Sequence, residues 1–100
     1  QKFLTYLNPL KIMSVLLDFS SVLERKLGKN FNNPIKIRLV VHCGCALERM
    51  VIHTGLAYKS DPATIDAKKL TALREAAEIF RKSLNIELTD DELYFMAELI

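Results

Sequence analysis

Apolar residues recur along this chain at helical spacing, and the polar breaks between the runs fall on proline, glycine and asparagine. Asn8-Pro9 reads as an N-cap followed by proline at the first helical position, and Leu10, Met13, Leu16, Leu17, Ser20 and Leu27 continue at helical intervals up to Gly28. This predicts a first helix over about residues 9 to 27. The same signal returns at Asn33-Pro34, and Ile35, Leu39, Val40, Leu47 and Val51 carry a second and more apolar run to Gly55, which suits a left-handed C-terminal cap. After a polar connection from Tyr58 to Thr64, the residues Leu70, Leu73, Ala77, Phe80 and Leu84 recur at intervals of three and four, one face of an amphipathic helix over about 66 to 84. Thr89-Asp90-Asp91-Glu92 has the form of a capping box, in which the threonine hydroxyl and the Glu92 carboxylate each satisfy a free backbone N–H of the other. Leu93, Phe95, Met96 and Leu99 then follow in a further helix. No alternating stretch of useful length competes with these runs, so the expected fold is all-α, a compact bundle of four to five helices.

Composition narrows the setting. One hundred residues, 50% of them hydrophobic, are enough for a single core, so one domain is expected over 1–100. The 14 Lys and Arg stand against 12 Asp and Glu and are scattered, which disfavours direct contact with nucleic acid. No stretch reaches the roughly 18 consecutive apolar residues of a membrane span. The opening Gln1-Lys2-Phe3-Leu4-Thr5-Tyr6 lacks the apolar core of a secretory signal, so a cytoplasmic protein is expected. Cys43 and Cys45 make no disulfide framework and read as reduced thiols. A chain that begins at Gln1 and stops at Ile100 inside an apolar pattern reads as a piece excised from a longer protein.

Candidate chemistry lies in the second helix. At about 100° per residue, Arg38, His42, Ala46, Arg49 and His53 fall within roughly 60° of one another, a single polar stripe on an otherwise apolar helix. A neutral imidazole is a nucleophile, and guanidinium groups on either side suit the oxygens of an incoming phosphoryl group. His42 is therefore a candidate phosphoacceptor. The alternative is structural: His42 packs in the core with its ring nitrogens satisfied, and Arg38 and Arg49 make ordinary ion pairs with Glu48 or with carboxylates of other helices. A metal site is disfavoured, since Cys43 and Cys45 lie about 200° apart around the axis and a His42–Cys45 pair would still need two more ligands. No cofactor is expected. There is no glycine-rich phosphate loop, no nucleophile elbow and no paired zinc-ligand motif, and an enzyme is not expected.

The string Ile37-Arg38-Leu39-Val40-Val41-His42-Cys43-Gly44-Cys45-Ala46-Leu47-Glu48-Arg49, read with Gly55 after it, resembles the first histidine motif of the phosphotransferase-system regulation domains. There, a histidine begins a helical run that leads to Ala-x-x-Arg and then glycine. The segment from Leu88 to Ala97 looks like the closing part of the same domain. Within that group the chain is similar to the C-terminal regulation domain of activators like the levanase operon regulator, which join it to a sigma-54-interacting ATPase. The resemblance implies a dimerising bundle of about five helices and a histidine phosphorylated by the phosphocarrier HPr or by a sugar-specific enzyme II component. It assigns that role to His42, with Arg38 and Arg49 beside it. Other members carry a second histidine that by register falls near Leu99, so control through a single site is expected here. His53 is read as a neighbour of the phosphate and not as a second acceptor. Because the second helix is apolar nearly all round, a homodimer with that helix near the interface is expected.

Overall fold

The computed structural model describes residues 8–100; the opening residues examined above for a secretory signal lie outside it. Among the described residues all regular structure is helical. The elements are α1 (Pro9–Leu27), α2 (Asn33–Val51), a 3-10 turn (Pro62–Thr64), α3 (Ala67–Ala76), α4 (Glu78–Leu84) and α5 (Asp90–Leu99). In α1, the Asn8 side-chain oxygen accepts the Leu10 and Lys11 N–H groups at 2.9 and 3.2 Å, and Pro9 needs no partner at the first helical position. Its end is a left-handed Gly28 at φ 67°, with the Gly28 and Lys29 N–H groups returning to the Arg25 and Glu24 carbonyls. The Glu24 carboxylate then accepts the Phe31 N–H at 2.7 Å, which fixes the link into α2.

Two boundaries differ from the sequence reading by local competition. The cap of α2 is Asn32, whose side chain accepts the Ile35 N–H at 3.0 Å, and Asn33 already lies inside the helix. At the other end the left-handed residue is His53, at φ 58°, not Gly55. The His53 and Thr54 N–H groups bond the Met50 and Arg49 carbonyls, the two hydrogen bonds of a Schellman ending, so α2 stops one turn before the glycine. The single helix expected over 66 to 84 is interrupted at Ala77, where the Phe80 N–H bonds the Ala77 carbonyl in a tighter 3-10 manner. That break turns α4 so that Phe80 meets Phe19 of α1, with ring centroids 4.8 Å apart.

Packing closes a ring in which α1 touches α2 and α3, and α5 touches both of those in turn; α4 seals the side against α1. Phe19, Leu23, Leu39, Leu47, Leu73, Phe80 and Met96 fill the centre. The core face of α1 is Val15, Leu16, Phe19, Ser20 and Leu23. Three residues of the expected apolar face, Leu10, Met13 and Leu17, instead point outward, with Leu10 83% exposed. Helix α1 thus has two apolar faces, and the sequence pattern mixed them. On α2 the buried face is Leu39, Cys43, Ala46 and Leu47, while Ile37 and Val41 are exposed.

Candidate functional site

Helix α2 carries three of the four polar residues of the expected stripe. Arg38 and His42 are exposed, one turn apart, and among the described residues neither has an ion-pair or side-chain hydrogen-bond partner. The packed-core alternative for His42 therefore does not hold within one chain. Ala46 is buried and Arg49 half-buried, so the stripe dips under the neighbouring helix as it runs toward the end of α2. It does not reach His53, which lies past the helix end in its left-handed cap and is exposed. Cys43 is buried and Cys45 exposed, on opposite sides of α2 as helix geometry predicts. Burial, reinforced by the negative charge of Glu92, pushes the Cys43 thiol far above its ordinary range.

The structural alternative holds for Arg49, which pairs with a carboxylate of another helix and not with Glu48, although the sequence did not name that carboxylate. Glu92, in the first turn of α5, is 1% exposed. Its two oxygens accept Arg49 Nε–H and Nη2–H, each at 2.7 Å, in a bidentate fork. A third bond comes from the Leu56 backbone N–H at 3.0 Å. Burial works to raise the Glu92 carboxyl, but the hydrogen bonds from Arg49 and Leu56, with the Arg49 charge, outweigh it and hold the group below the ordinary carboxylate range. The same hydrogen bonds raise Arg49.

This arrangement revises the expected capping box. Thr89 does cap α5, its hydroxyl accepting the Glu92 N–H at 3.3 Å, but the Glu92 side chain turns away to α2. The Thr-x-x-Glu spacing explained Glu92 locally and so hid its long-range role; the available signal was an Arg49 with no outlet in an apolar helix, beside a Glu48 that is exposed.

Gly55 lies beside the same cluster. A Cβ there would come within 2.9 Å of Met50 Cε, the movable end of a flexible side chain, and about 4.0 Å from a Glu92 oxygen, an ordinary contact. Tyr58 pins the next stretch, its ring tilted against Tyr94 at 5.3 Å and edge-to-face with Phe95 at 5.2 Å between centroids, and its hydroxyl donating to Glu98 at 2.6 Å.

The result is a recess of about 300 Å³ whose lining includes His42, Arg49, Glu92, Leu56, Phe95 and Leu99. An exposed imidazole thus shares one hollow with a guanidinium that still has unused N–H groups. No base is hydrogen-bonded to His42 to activate it, as hydrolytic triads require, among the described residues. The cluster can accept and hold an anionic group on the imidazole. Leu99 stands in the same hollow at the register where the family resemblance places a second histidine.

Fold and site together define an all-α module with an exposed imidazole beside a buried guanidinium–carboxylate pair. The chain belongs to the PRD domain family, whose pattern it matches over residues 18–100. It is 26% identical over 99 residues to the transcriptional regulatory protein LevR of Bacillus subtilis (strain 168), covering 97% of this chain and 11% of that protein. It is also 26% identical over 100 residues to the transcriptional regulatory protein DagR of Salmonella typhimurium (strain 14028s / SGSC 2262), again with 97% and 11% covered. The chain spans 11% of the length of these curated relatives. No solved structure matches it. No helix among the described residues is long and apolar enough to cross a membrane.

Proposed function

We propose that this PRD domain is a regulatory module of a bacterial transcriptional activator and that its state is set by phosphorylation of His42 through the sugar phosphotransferase system. The observation that carries the reading is the exposed, unpartnered His42 imidazole sharing a recess with Arg49, one turn from Arg38. In the step itself, the lone pair of an unprotonated His42 ring nitrogen forms a bond to phosphorus. The P–N bond of a phosphohistidine on HPr or on an enzyme II component breaks, and the donor imidazole leaves with that electron pair and takes up a proton. The group gained carries close to two negative charges at neutral pH. Arg38 and Arg49 are the cations within reach of it along α2.

The domain acts as a switch in this reading and not as a catalyst, in keeping with the names of its relatives as transcriptional regulatory proteins. Exposed Ile37 and Val41 on α2, with Leu10, Met13 and Leu17 on α1, favour a homodimer as its working form. A dimerisation module without covalent chemistry is the competing reading that this same apolar surface supports.

Intact-protein mass spectrometry at neutral to basic pH separates the two. Wild type and His42→Ala are incubated with phosphoenolpyruvate, enzyme I, HPr and the enzyme II component. A gain of one phosphate on wild type alone is expected; no gain with any donor leaves the dimerisation module.

A further inference from the structure

Arg49 faces two claims on the same guanidinium. Glu92 holds two of its N–H groups through a bidentate fork 43 residues away in sequence, and His42 lines the same recess. A carboxylate brings one negative charge, whereas a phosphoryl group brings close to two and three acceptor oxygens, in a geometry that a guanidinium fork fits equally well. Glu92 has little to fall back on. It is 1% exposed, and its one other donor among the described residues is the Leu56 N–H, on a loop whose neighbours His53 to Ala57 are exposed. A buried carboxylate that loses its cation cannot stay dry and charged; it must draw in water or move. The part left to respond is the exposed loop through Leu56, because the first turn of α5 is also held by its Thr89 cap and by the Arg74–Asp90 ion pair.

We propose that the Arg49–Glu92–Leu56 cluster is the element that reads the charge on His42: a phosphoryl group there draws Arg49 off Glu92, which frees the Leu56 loop. The proposal rests on phosphorylation of His42 and adds what that event displaces. It names Glu92 as a positioning residue that acts through Arg49 and touches no donor.

The test phosphorylates the 100-residue chain chemically, so that it does not depend on any protein donor. The chain has two histidines, and His53→Gly leaves His42 as its single imidazole. With phosphoramidate, the P–N bond of the reagent breaks, ammonia leaves with the electron pair and a proton, and the phosphoryl group bonds to the His42 nitrogen. Phosphorus NMR measures the phosphohistidine formed, and nitrogen-15 spectra follow the Leu56 amide and the Arg49 Nε–H. Expected are at least tenfold faster hydrogen exchange at Leu56 and a displaced Arg49 Nε–H resonance in the phosphorylated protein. A clear phosphohistidine signal with both probes unchanged overturns the proposal.

Glu92→Gln is the second arm and needs no phosphoryl group. With the fork weakened and the Thr89 cap intact, Leu56 is expected to exchange at the fast rate from the outset, and phosphorylation should add less than twofold. A folded Glu92→Gln protein whose Leu56 stays protected overturns the proposal too, and should that variant fail to fold, the comparison on the parent chain decides alone. If the protein cascade leaves His42 unmodified while phosphoramidate releases Leu56, the proposed donor system falls and the cluster's role stands.

Discussion

His53 sits at φ 58°, where a Cβ crowds the following carbonyl and a residue with a side chain is held at a cost of about 1 kcal/mol or more. It holds that conformation because the Schellman bonds of α2 must close there. Glycine at this place pays no such penalty, and His53→Gly is expected to raise stability by roughly 0.5–1 kcal/mol, read from the urea or thermal midpoint. Lower stability in that variant would mean the imidazole makes a contact that outweighs its backbone strain. The residue scale is also where sequence reading was weakest. It placed His53 on the helix because the offset from His42 continues the 3.6-residue period, and nothing in that period announces that the backbone has turned left. It groups Arg38, His42 and Arg49 because those residues do lie on one helix, whereas Glu92 belongs to another element and becomes visible only with α5 packed against α2.

At the scale of elements, the caps that sequence located correctly are those made by a side chain on its own backbone. Asn8 at α1 and Thr89 at α5 act within three residues and need no tertiary help. The cap of α2 falls at Asn32, one residue before the expected Asn33, and the break at Ala77 goes with the Phe80–Phe19 contact, which no local pattern encodes. The join between α2 and α5 carries a prediction of its own. Removing the charge in Glu92→Gln leaves Arg49 half-buried without its counter-ion, at an expected loss of about 2 kcal/mol at neutral pH, below the figure for fully buried pairs because Arg49 keeps some water. Because the folded Glu92 titrates below its unfolded value, its bonds contribute fully above the ordinary carboxylate range, near about pH 4. That contribution is lost as pH falls through the lowered folded value. Urea midpoints of wild type and Glu92→Gln, measured from pH 7 into acid, should therefore converge. A gap that persists undiminished in strong acid would show that the charge of Glu92 is not what stabilises.

Over the whole molecule, the sequence made the all-α class legible because three- and four-residue spacing never gives way to alternation. It did not say which of the two apolar faces of α1 looks inward. Val15, Phe19 and Leu23 form the inner one, and Leu10, Met13 and Leu17 the outer, a distinction set by the ring of neighbours and not by hydrophobicity. With Ile37 64% exposed and Val41 56% exposed on α2, one chain leaves more large apolar surface open than its own helices can cover. Light scattering at high micromolar concentration is expected to give the mass of two chains, and Ile37→Glu, on an exposed position the core does not use, to give the mass of one with the helical content unchanged. A wild-type mass equal to one chain removes the dimer.

The fork between Arg49 and Glu92 also constrains how such a sequence can change over generations. Losing the arginine alone strands a buried carboxylate, and losing the carboxylate alone strands a half-buried cation, a penalty of a few kcal/mol against a total that for a domain of this size is only about 5–15 kcal/mol. Neither position can drift freely while the other stays. A lineage that abandons one is expected to exchange both for residues that pack without charge, so positions 49 and 92, distant in the chain, are expected to change together.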